Sequence, residues 1–256
     1  MSERGYQYDF SADNEAMHDI SGRRRKAATM LAILAEALGP RLASARVLTV
    51  GCSTGIIDEF FAPHVARVTG IDIDAPAIEA ARRRCRAANT EFRVGDAMNL
   101  DFPDASFDIV LCSQVYEHVP DPTRMMAEIR RVLAPDGVCY FAATNRFCVI
   151  EQHYGLPFLS VIPVPLAHLY LRLLGRGRYY HERHMTLGGL RRLTADYRVE
   201  DFTPKVLAEP KRYRADYMIG DSGWKPRLIR LFAKYAYWAF PGYLWLLWRD
   251  REPASR

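Results

Sequence analysis

The stretch that decides the fold lies between Arg46 and Gly55 and reads RVLTVGCSTG. Its first five residues are mostly apolar and β-branched, the run stops at Gly51, and a second glycine follows at Gly55. A short strand that enters a glycine turn and then a helix is typical of the first unit of an α/β domain with a parallel sheet. Glycine at both positions permits backbone conformations and close ligand approach that a side chain would block.

Helices and strands alternate around this stretch. Helical spacing of apolar residues predicts helices over residues 24–38, 56–61, 75–88, 123–133 and 186–195. Short apolar runs predict strands over residues 46–50, 65–71, 91–94, 107–112, 138–143, 197–202 and 205–207. The order predicts a Rossmann-like α/β fold, in which a mostly parallel sheet carries helices on both faces.

Two segments depart from this alternation. Residues 147–185 contain three prolines and an apolar helical stretch, and we expect an insertion or lid within a main domain of residues 1–210. Residues 211–256 are predicted to be an aromatic, basic helical extension, with two short amphipathic helices over residues 224–248. Its longest uncharged run, residues 235–248, has 14 residues, whereas a membrane-spanning helix needs about 20. A packed or interfacial segment is therefore expected.

Composition narrows the class of protein. The chain has 256 residues, of which 49% are hydrophobic and 25% charged, so a folded domain is expected rather than a disordered or disulfide-rich chain. The five scattered cysteines predict reduced thiols, and the acidic first 20 residues lack a secretory signal, which favours a cytoplasmic location. The net charge of +5 is small for this length. No nucleic-acid partner is predicted, because no broad basic face with interleaved aromatic residues is evident.

The glycine loop admits three kinds of ligand or chemistry. The spacing of Gly51 and Gly55 suits a nucleoside that carries an amino-acid chain, whereas a dinucleotide site of an oxidoreductase would use G-x-G-x-x-G. The same residues also satisfy G-x-S-x-G, the nucleophile elbow of α/β-hydrolases, with Ser53 as the nucleophile. A hydrolase elbow follows a later strand than the first one, which disfavours that interpretation.

Carboxylates follow the second and third predicted strands. Asp72 is placed to accept both hydroxyls of a ribose, with Ile73 against a purine. Asp74 is the neighbouring alternative, and either carboxylate could instead cap the next helix. Asp96 could accept a hydrogen bond from an adenine amino group, while Ala97 and Met98 line the ring.

Four segments in register resemble the successive motifs of class I S-adenosylmethionine-dependent methyltransferases of the type 11 group. They read VLTVGCSTG, VTGIDIDAPAIEAAR, FRVGDAMNLDFPDASFDIVLCSQVYEHVPDP and IRRVLAPDGVCYFAATNR, over roughly residues 45–146. The resemblance implies a seven-stranded sheet and S-adenosyl-L-methionine as cofactor. The residues it implies as cofactor contacts are Gly51, Cys52, Ser53, Gly55, Asp72, Ile73, Asp96, Ala97, Met98, Cys112 and Ser113.

Two departures from the family pattern concern the cofactor. Thr49 stands where the family often has an acidic residue, and Ser53 stands where it has a middle glycine. Both positions affect how the amino group of the cofactor is held. They keep open the alternative of a non-catalytic binding module with the methyltransferase fold.

Candidate proton-transfer residues follow the fourth predicted strand and the insertion. His118 is the first candidate base, since an unperturbed imidazole pKa of about 6.5 suits proton transfer near neutrality; Glu117 precedes it. His181 and His184 of the HERH segment are further candidates. The alternatives are a histidine that packs at a helix entry and a solvated loop.

The segment from Gln114 to His118 also looks like the E-x-x-E-H motif of ubiquinone-biosynthesis O-methyltransferases, which is associated with a divalent metal. Gln114 replaces the first carboxylate here. Since hard cations prefer charged oxygen ligands, no bound metal is predicted.

The acceptor is expected to be amphiphilic. The insertion combines apolar, aromatic and proline residues, and the tail adds Trp238, Tyr243, Trp245 and Trp248, with seven cations against three acids from residue 221 onward. Such a composition suits contact with an anionic membrane at its inner face. We expect O-methylation of a hydroxyl on a glycan, a lipid-linked or another amphiphilic small molecule. The alternative is that both segments cap the site or form a dimer interface; the sequence predicts no oligomeric state.

Overall fold

The computed structural model describes residues 19–220 and 223–249. The α-helices are α1 (Ile20–Leu38), α2 (Ile56–Phe61), α3 (Ala75–Arg84), α4 (Pro122–Val132), α5 (Val164–Leu173), α6 (Leu187–Leu193), α7 (Thr203–Ala208), α8 (Asp216–Ile219) and α9 (Trp224–Tyr235). The strands are β1 (Arg46–Val50), β2 (Arg67–Asp72), β3 (Thr90–Val94), β4 (Phe107–Ser113), β5 (Leu133–Thr144), β6 (Ile150–Glu151), β7 (Leu156–Pro157), β8 (Arg198–Asp201) and β9 (Gly242–Trp248). Short 3₁₀ helices follow α1, α2 and α9.

Seven strands form one sheet in the order β3-β2-β1-β4-β5-β9-β8. Strands β1 to β5 pair in parallel, and β9 is antiparallel to both β5 and β8. The predicted α/β fold with a seven-stranded, mostly parallel sheet is confirmed. Because the carboxyl ends of parallel strands share one edge, the loops after β1, β2, β3 and β4 meet there.

Alternate side chains of the strands pack on opposite faces of the sheet, as the pleat of a strand requires. On one face, Leu48 and Val50 of β1 join a core cluster with α4 and α6. On the other, Val47 joins a cluster with α1 and α2. Both faces are therefore covered by helices, and the central strands β1 and β4 between them bury mostly apolar side chains.

Polar caps begin α3 and α4, the helices that follow β2 and β4. Asp74 accepts a hydrogen bond from the backbone N–H of Ala77 (3.2 Å) and caps α3. Asp121 accepts from the N–H groups of Thr123 and Arg124 and caps α4, which carries Pro122 at its first position. These caps satisfy amide groups that a helix leaves unpaired at its start.

The structure corrects two predictions of secondary structure. Residues 205–207, predicted as a strand, lie in α7, which begins beside Pro204. The second predicted helix of the tail is strand β9, with Tyr243 and Trp245 on one face and Leu246 on the other. Since β9 is apolar on both faces, its sequence lacks the alternation that marks a half-buried strand. The division of the chain after residue 210 therefore does not separate residues 242–248 from the sheet.

The insertion contains the two-stranded pair β6-β7 and helix α5. It has a small core of its own, made by Leu156, Leu159, Ala167, Leu171 and Tyr180. Its role as a lid stays a prediction. In the part of the chain that the structure describes, no helix has the length and apolar character needed to cross a membrane.

Candidate functional site

A cavity of about 230 Å³ opens at the carboxyl edge of the sheet. Its floor is made by the glycine loop after β1 and by the ends of β2 and β4, and α1 supplies Arg23 and Lys26 to its wall. The predicted cofactor residues that line it are Gly51, Ser53, Asp72, Ile73, Ala97 and Ser113. The sequence argument thus located this cavity but missed the residues that α1 contributes, because helical spacing gave no reason to assign them to a site.

Gly51 has a positive φ of 69°, a region that favours glycine. A Cβ atom at this position would lie 2.8 Å from Cγ2 of Val115, another residue of the cavity wall. Glycine is therefore required both by the turn and by the close approach of the loop after β4. The sequence predicted the turn at Gly51 but not its contact with Val115.

Ser53 also adopts the left-handed region, with a φ of 51°, a conformation that favours glycine. Its side chain is buried, and its Oγ has no hydrogen-bond partner among the described residues. A buried hydroxyl without a partner is costly unless a ligand supplies one. Since Ser53 lines the cavity, this hydroxyl fits a polar ligand such as the amino-acid portion of S-adenosylmethionine.

Asp72 ends β2 and holds the glycine loop in place. One carboxylate oxygen accepts the N–H of Ser53 at 2.7 Å, and the other accepts the N–H of Asp74 at 3.0 Å. Burial raises the pKa of Asp72, against these hydrogen bonds. A carboxylate has about four acceptor positions, so two remain for ribose hydroxyls. Asp74 caps α3 and also lines the cavity, so the choice of Asp72 over Asp74 for the ribose stays a prediction.

Other predicted cofactor residues lie away from the cavity wall. The side chains of Cys52 and Cys112 are packed in the apolar core. Gly55 faces Phe92, whose ring lies 2.7 Å from the position of a Cβ atom. Asp96 accepts a hydrogen bond from the N–H of Met98 at 2.7 Å and so shapes its own turn. Its contact with adenine stays a prediction, as does that of Met98.

A buried carboxylate that the sequence did not single out lies behind the glycine loop. Asp58 of α2 is fully buried, and its Oδ1 lies 2.8 Å from where a Cβ atom of Gly70 would be. Burial raises its pKa to about 7, although the hydroxyl of Thr49 and the charge of Arg23 oppose the rise. Thr49, which lines the cavity, therefore has an acid of α2 as a neighbour.

Gln114 joins α1 to the insertion across the mouth of the cavity. Its Oε1 accepts a hydrogen bond from Nζ of Lys26 at 3.1 Å. Its Nε2 donates to Oγ1 of Thr144 at 3.2 Å and to Oε1 of Gln152 at 3.1 Å. The glutamine that replaces the first carboxylate of the E-x-x-E-H pattern is thus a connecting residue in this chain.

His118 lies between the cavity and a set of buried acids and histidines. It lines the cavity, and its ring packs edge-on against His153, with ring centres 4.8 Å apart. Its Nδ1 lies 3.9 Å from a carboxylate oxygen of Glu182. Burial, with neighbouring His153 and His184, lowers the pKa of His118 to about 3. A neutral imidazole at pH 7 can accept a proton, but such a low pKa makes it a weak base.

Glu117 faces away from the cavity and is buried. Within residues 19–220 and 223–249, neither carboxylate oxygen has a hydrogen-bond partner, and burial raises the pKa of this acid. The backbone carbonyl of Glu117 accepts the N–H of Arg183 at 2.9 Å, which brings the HERH segment alongside. In that segment His184 is buried near Glu117, whereas His181 is exposed. The catalytic roles of these residues stay predictions.

Three residues of the insertion form a hydrogen-bonded group beside His118. Oε1 of Glu151 lies 2.6 Å from Nδ1 of His153 and 3.3 Å from Nε2 of His184. Burial favours a higher pKa for Glu151, but the hydrogen bonds of both histidines outweigh it and hold the pKa at about 2. The sequence argument missed His153, which lines the cavity from a segment distant in the chain.

Two overlapping sets of side chains have the spacing of metal ligands. They are His118, His153 and Glu182, and Glu151, His153 and His184. Within each set the possible ligand atoms lie within 4.8 Å of one another. The prediction that no metal binds was based on Gln114 alone, and it took no account of ligands from the insertion.

Comparisons with known proteins identify a family and related sequences. Residues 48–141 match the family described as "Methyltransferase domain". The ubiquinone biosynthesis O-methyltransferase of Xanthomonas oryzae pv. oryzae (strain PXO99A) is 32% identical over 179 residues, which cover 68% of this chain and 71% of that protein. The corresponding protein of Coxiella burnetii (strain Dugway 5J108-111) is 35% identical over 102 residues, 39% of this chain and 44% of its own.

Solved structures show the same fold at low sequence identity. The S-adenosylmethionine-dependent methyltransferase of Mesorhizobium loti has a TM-score of 0.55 at 16% identity, covering 84% of this chain and 95% of its own. The PH0226 protein of Pyrococcus horikoshii OT3 has a TM-score of 0.58 at 20% identity, covering 91% and 94%.

The fold defines an α/β protein with a cavity at the carboxyl edge of its sheet, lined by the glycine loop and Asp72. The chain belongs to the S-adenosylmethionine-dependent methyltransferase family that includes the ubiquinone biosynthesis O-methyltransferases. It is an S-adenosylmethionine-dependent methyltransferase, and its cofactor is S-adenosyl-L-methionine. The acceptor is a small molecule.

Proposed function

We propose that this enzyme methylates a hydroxyl oxygen of an amphiphilic small molecule, of the lipid-linked or glycan type. The observation that carries the proposal is the course of the cavity, which extends from Asp72 and the glycine loop to His118 and His153. One end suits the cofactor, and the other presents imidazoles that suit an acidic hydroxyl. Relatives named for ubiquinone biosynthesis support an acceptor with an apolar portion.

The chain's own residues would act mainly by positioning. S-adenosylmethionine, when bound, supplies an activated methyl group, so the protein must orient the acceptor in line and provide for its proton. Asp72 and Ser53 would hold the cofactor. His118, the neutral imidazole, would take up the hydroxyl proton, and His153 would help to position the hydroxyl group.

Exposed apolar surface supports an amphiphilic acceptor and contact with a membrane. On α9 the exposed residues Trp224, Leu228, Leu231 and Tyr235 recur at intervals of three and four and so share one face. Exposed cations lie on the same helix at residues 225, 227 and 234. Such a helix suits the surface of an anionic membrane, where apolar side chains enter the interface and cations meet lipid phosphates.

Helix α5 of the insertion has a similar surface, with Leu166 and Leu173 exposed. The segment after α9 touches the start of the insertion, where the rings of Phe147 and Trp238 lie 5.4 Å apart. The side chain of Asn145 donates to the carbonyl groups of Trp238 and Phe240. The tail and the insertion are thereby joined at the entrance to the insertion.

Methyl transfer from radiolabelled S-adenosylmethionine tests the acceptor class. The panel contains a phenol with a prenyl chain, the same phenol without the chain, and a polyprenyl-linked glycan. We expect transfer to acceptors with an apolar chain to exceed transfer to the chain-free phenol. Transfer only to the chain-free phenol, or only to amines, would overturn the proposal.

Vesicle flotation tests the membrane contact separately. The wild-type protein should float with phosphatidylglycerol vesicles and much less with phosphatidylcholine vesicles. Leu228→Glu with Leu231→Glu should reduce flotation, whereas Glu79→Gln on exposed α3 is the matched surface control. If the double variant only changes the oligomeric state, α9 forms an interface between copies of the chain and the membrane assignment is wrong.

A further inference from the structure

The hydrogen-bonded group of Glu151, His153 and His184, here called the insertion cluster, is unusual in its composition. Glu151 and His184 are almost completely buried, and His153 is 14% exposed. Two imidazole nitrogens converge on one oxygen of Glu151. The second oxygen of Glu151 accepts the N–H groups of His153 (2.9 Å) and Tyr154 (3.0 Å). The backbone therefore fixes the carboxylate so that its other oxygen faces both histidines.

Two further buried acids lie beside this group. Glu117 and Glu182 are both buried, and they interact with its histidines: Glu117 with His184 and His153, and Glu182 with His153. Both oxygens of Glu117, and Nδ1 of His184, lack a hydrogen-bond partner in the described ranges 19–220 and 223–249. A buried polar group without a hydrogen-bond partner is unfavourable in a protein interior. A cation bound beside Glu117 would stabilise the ionised form of its carboxyl group.

We propose that Glu151, His153 and His184 bind one divalent transition-metal ion. Two imidazole nitrogens and one carboxylate oxygen are a ligand set typical of zinc and related metals at sites that retain an open coordination position. The site lies wholly within the insertion. It does not use the Gln114 motif, because the side chain of Gln114 is hydrogen-bonded to Lys26, Thr144 and Gln152.

The neighbouring residues complete the arrangement. His118 packs against the ring of His153 and also lies near Glu182. His118 and Glu182 would therefore lie beside the metal ligands and help to orient them. Since His153 lines the cavity, the open position would be next to the acceptor end. A metal there would bind the acceptor hydroxyl and favour its ionised form. This last role depends on the proposed function, whereas metal binding itself does not.

Metal binding is tested on the untagged full chain after removal of metal with a chelator. Calorimetric titration with Zn²⁺ should give one site per chain, and Co²⁺ should give an absorption spectrum of nitrogen and oxygen coordination. Glu151→Gln and His184→Gln should each weaken Zn²⁺ binding by about 10- to 100-fold or more. His64→Ala, on the exposed 3₁₀ helix after α2, is the matched control and should bind Zn²⁺ as the wild type does.

S-adenosylhomocysteine binding separates this inference from the proposed function. Neither Glu151 nor His184 lines the cavity, so both variants should retain cofactor affinity, which also shows that they fold. X-ray absorption of the Zn²⁺-loaded wild type should show two imidazole ligands, independently of any variant. Absence of stoichiometric Zn²⁺ binding by the wild type, or unchanged binding by both variants, would overturn the metal site. Metal binding without transfer to any amphiphilic acceptor would instead overturn the proposed function alone.

Discussion

Replacement of Asp72 by asparagine should weaken the binding of S-adenosylhomocysteine by about 1–3 kcal/mol, or roughly 5- to 150-fold in Kd. The carboxylate accepts the N–H of Ser53 at 2.7 Å and that of Asp74 at 3.0 Å. An asparagine has only one acceptor oxygen, so its amide NH₂ group would face one of these two donors. The ribose hydroxyls would in addition lose a charged acceptor, and hydrogen bonds to charged groups are the stronger ones.

The free energy of unfolding should change much less than the affinity. Burial raises the pKa of Asp72, which means that the ionised side chain is held at a cost in the absence of ligand. A neutral asparagine avoids this cost and thereby offsets the lost hydrogen bond. Affinity and stability should therefore respond separately, which calorimetric titration and urea denaturation of the same preparations can measure.

Asp74→Asn is the matched control for this substitution. Asparagine caps a helix as well as aspartate does, so α3 should keep its first turn and the Kd should change little. The reasoning is refuted if Asp72→Asn binds S-adenosylhomocysteine with the affinity of the wild type. It is also refuted if Asp74→Asn loses as much affinity as Asp72→Asn.

Four further substitutions, at Ser53, Gly51, Val115 and Asp58, test the site and the carboxylate behind it. Ser53→Gly should raise the free energy of unfolding in urea by about 1 kcal/mol, because glycine adopts the left-handed conformation without strain. The same substitution should weaken S-adenosylhomocysteine binding measured by calorimetry. Unchanged affinity would show that the Ser53 hydroxyl does not contact the ligand. Gly51→Ala should greatly weaken binding in the same assay, and Val115→Ala added to it should restore part of the affinity; no restoration would contradict the role of the 2.8 Å approach. Burial raises the pKa of Asp58 to about 7 in the folded state, against the usual 3.8. The free energy of unfolding should therefore be highest below pH 3.8 and should fall as the pH rises through 7. In Asp58→Asn this pH-dependent fall in the free energy of unfolding, at most about 4 kcal/mol, should be absent. Urea unfolding of both proteins across this pH range measures it, and parallel pH profiles would disprove the role of Asp58.

The βα units could be predicted from the sequence because each carries its own signals. Strand β1 was predicted over the residues at which it occurs, and α4 was displaced by a single position at each end. Periodic apolar residues, a cap and a turn coincide in these segments. Strand β9 could not be predicted in this way, since a run that is apolar on both faces has the same appearance in a buried helix and in a buried strand.

The candidate site was predictable where it follows the strand ends. Gly51, Ser53 and Asp72 are assembled by local geometry, because parallel strands deliver their following loops to one edge. Lys26 and His153 come from a preceding helix and from an irregular insertion, and no local pattern relates them to the glycine loop. Their place in the cavity depends on how α1 and the insertion pack on the sheet.

The most direct test of the account is the crystal structure of the protein in complex with S-adenosylhomocysteine. The account predicts that the ribose hydroxyls bind Asp72, that the amino-acid portion contacts Ser53, and that the sulfur faces His118 and His153. A ligand bound elsewhere on the protein, or one in the cavity with its ribose away from Asp72, would contradict the assignment.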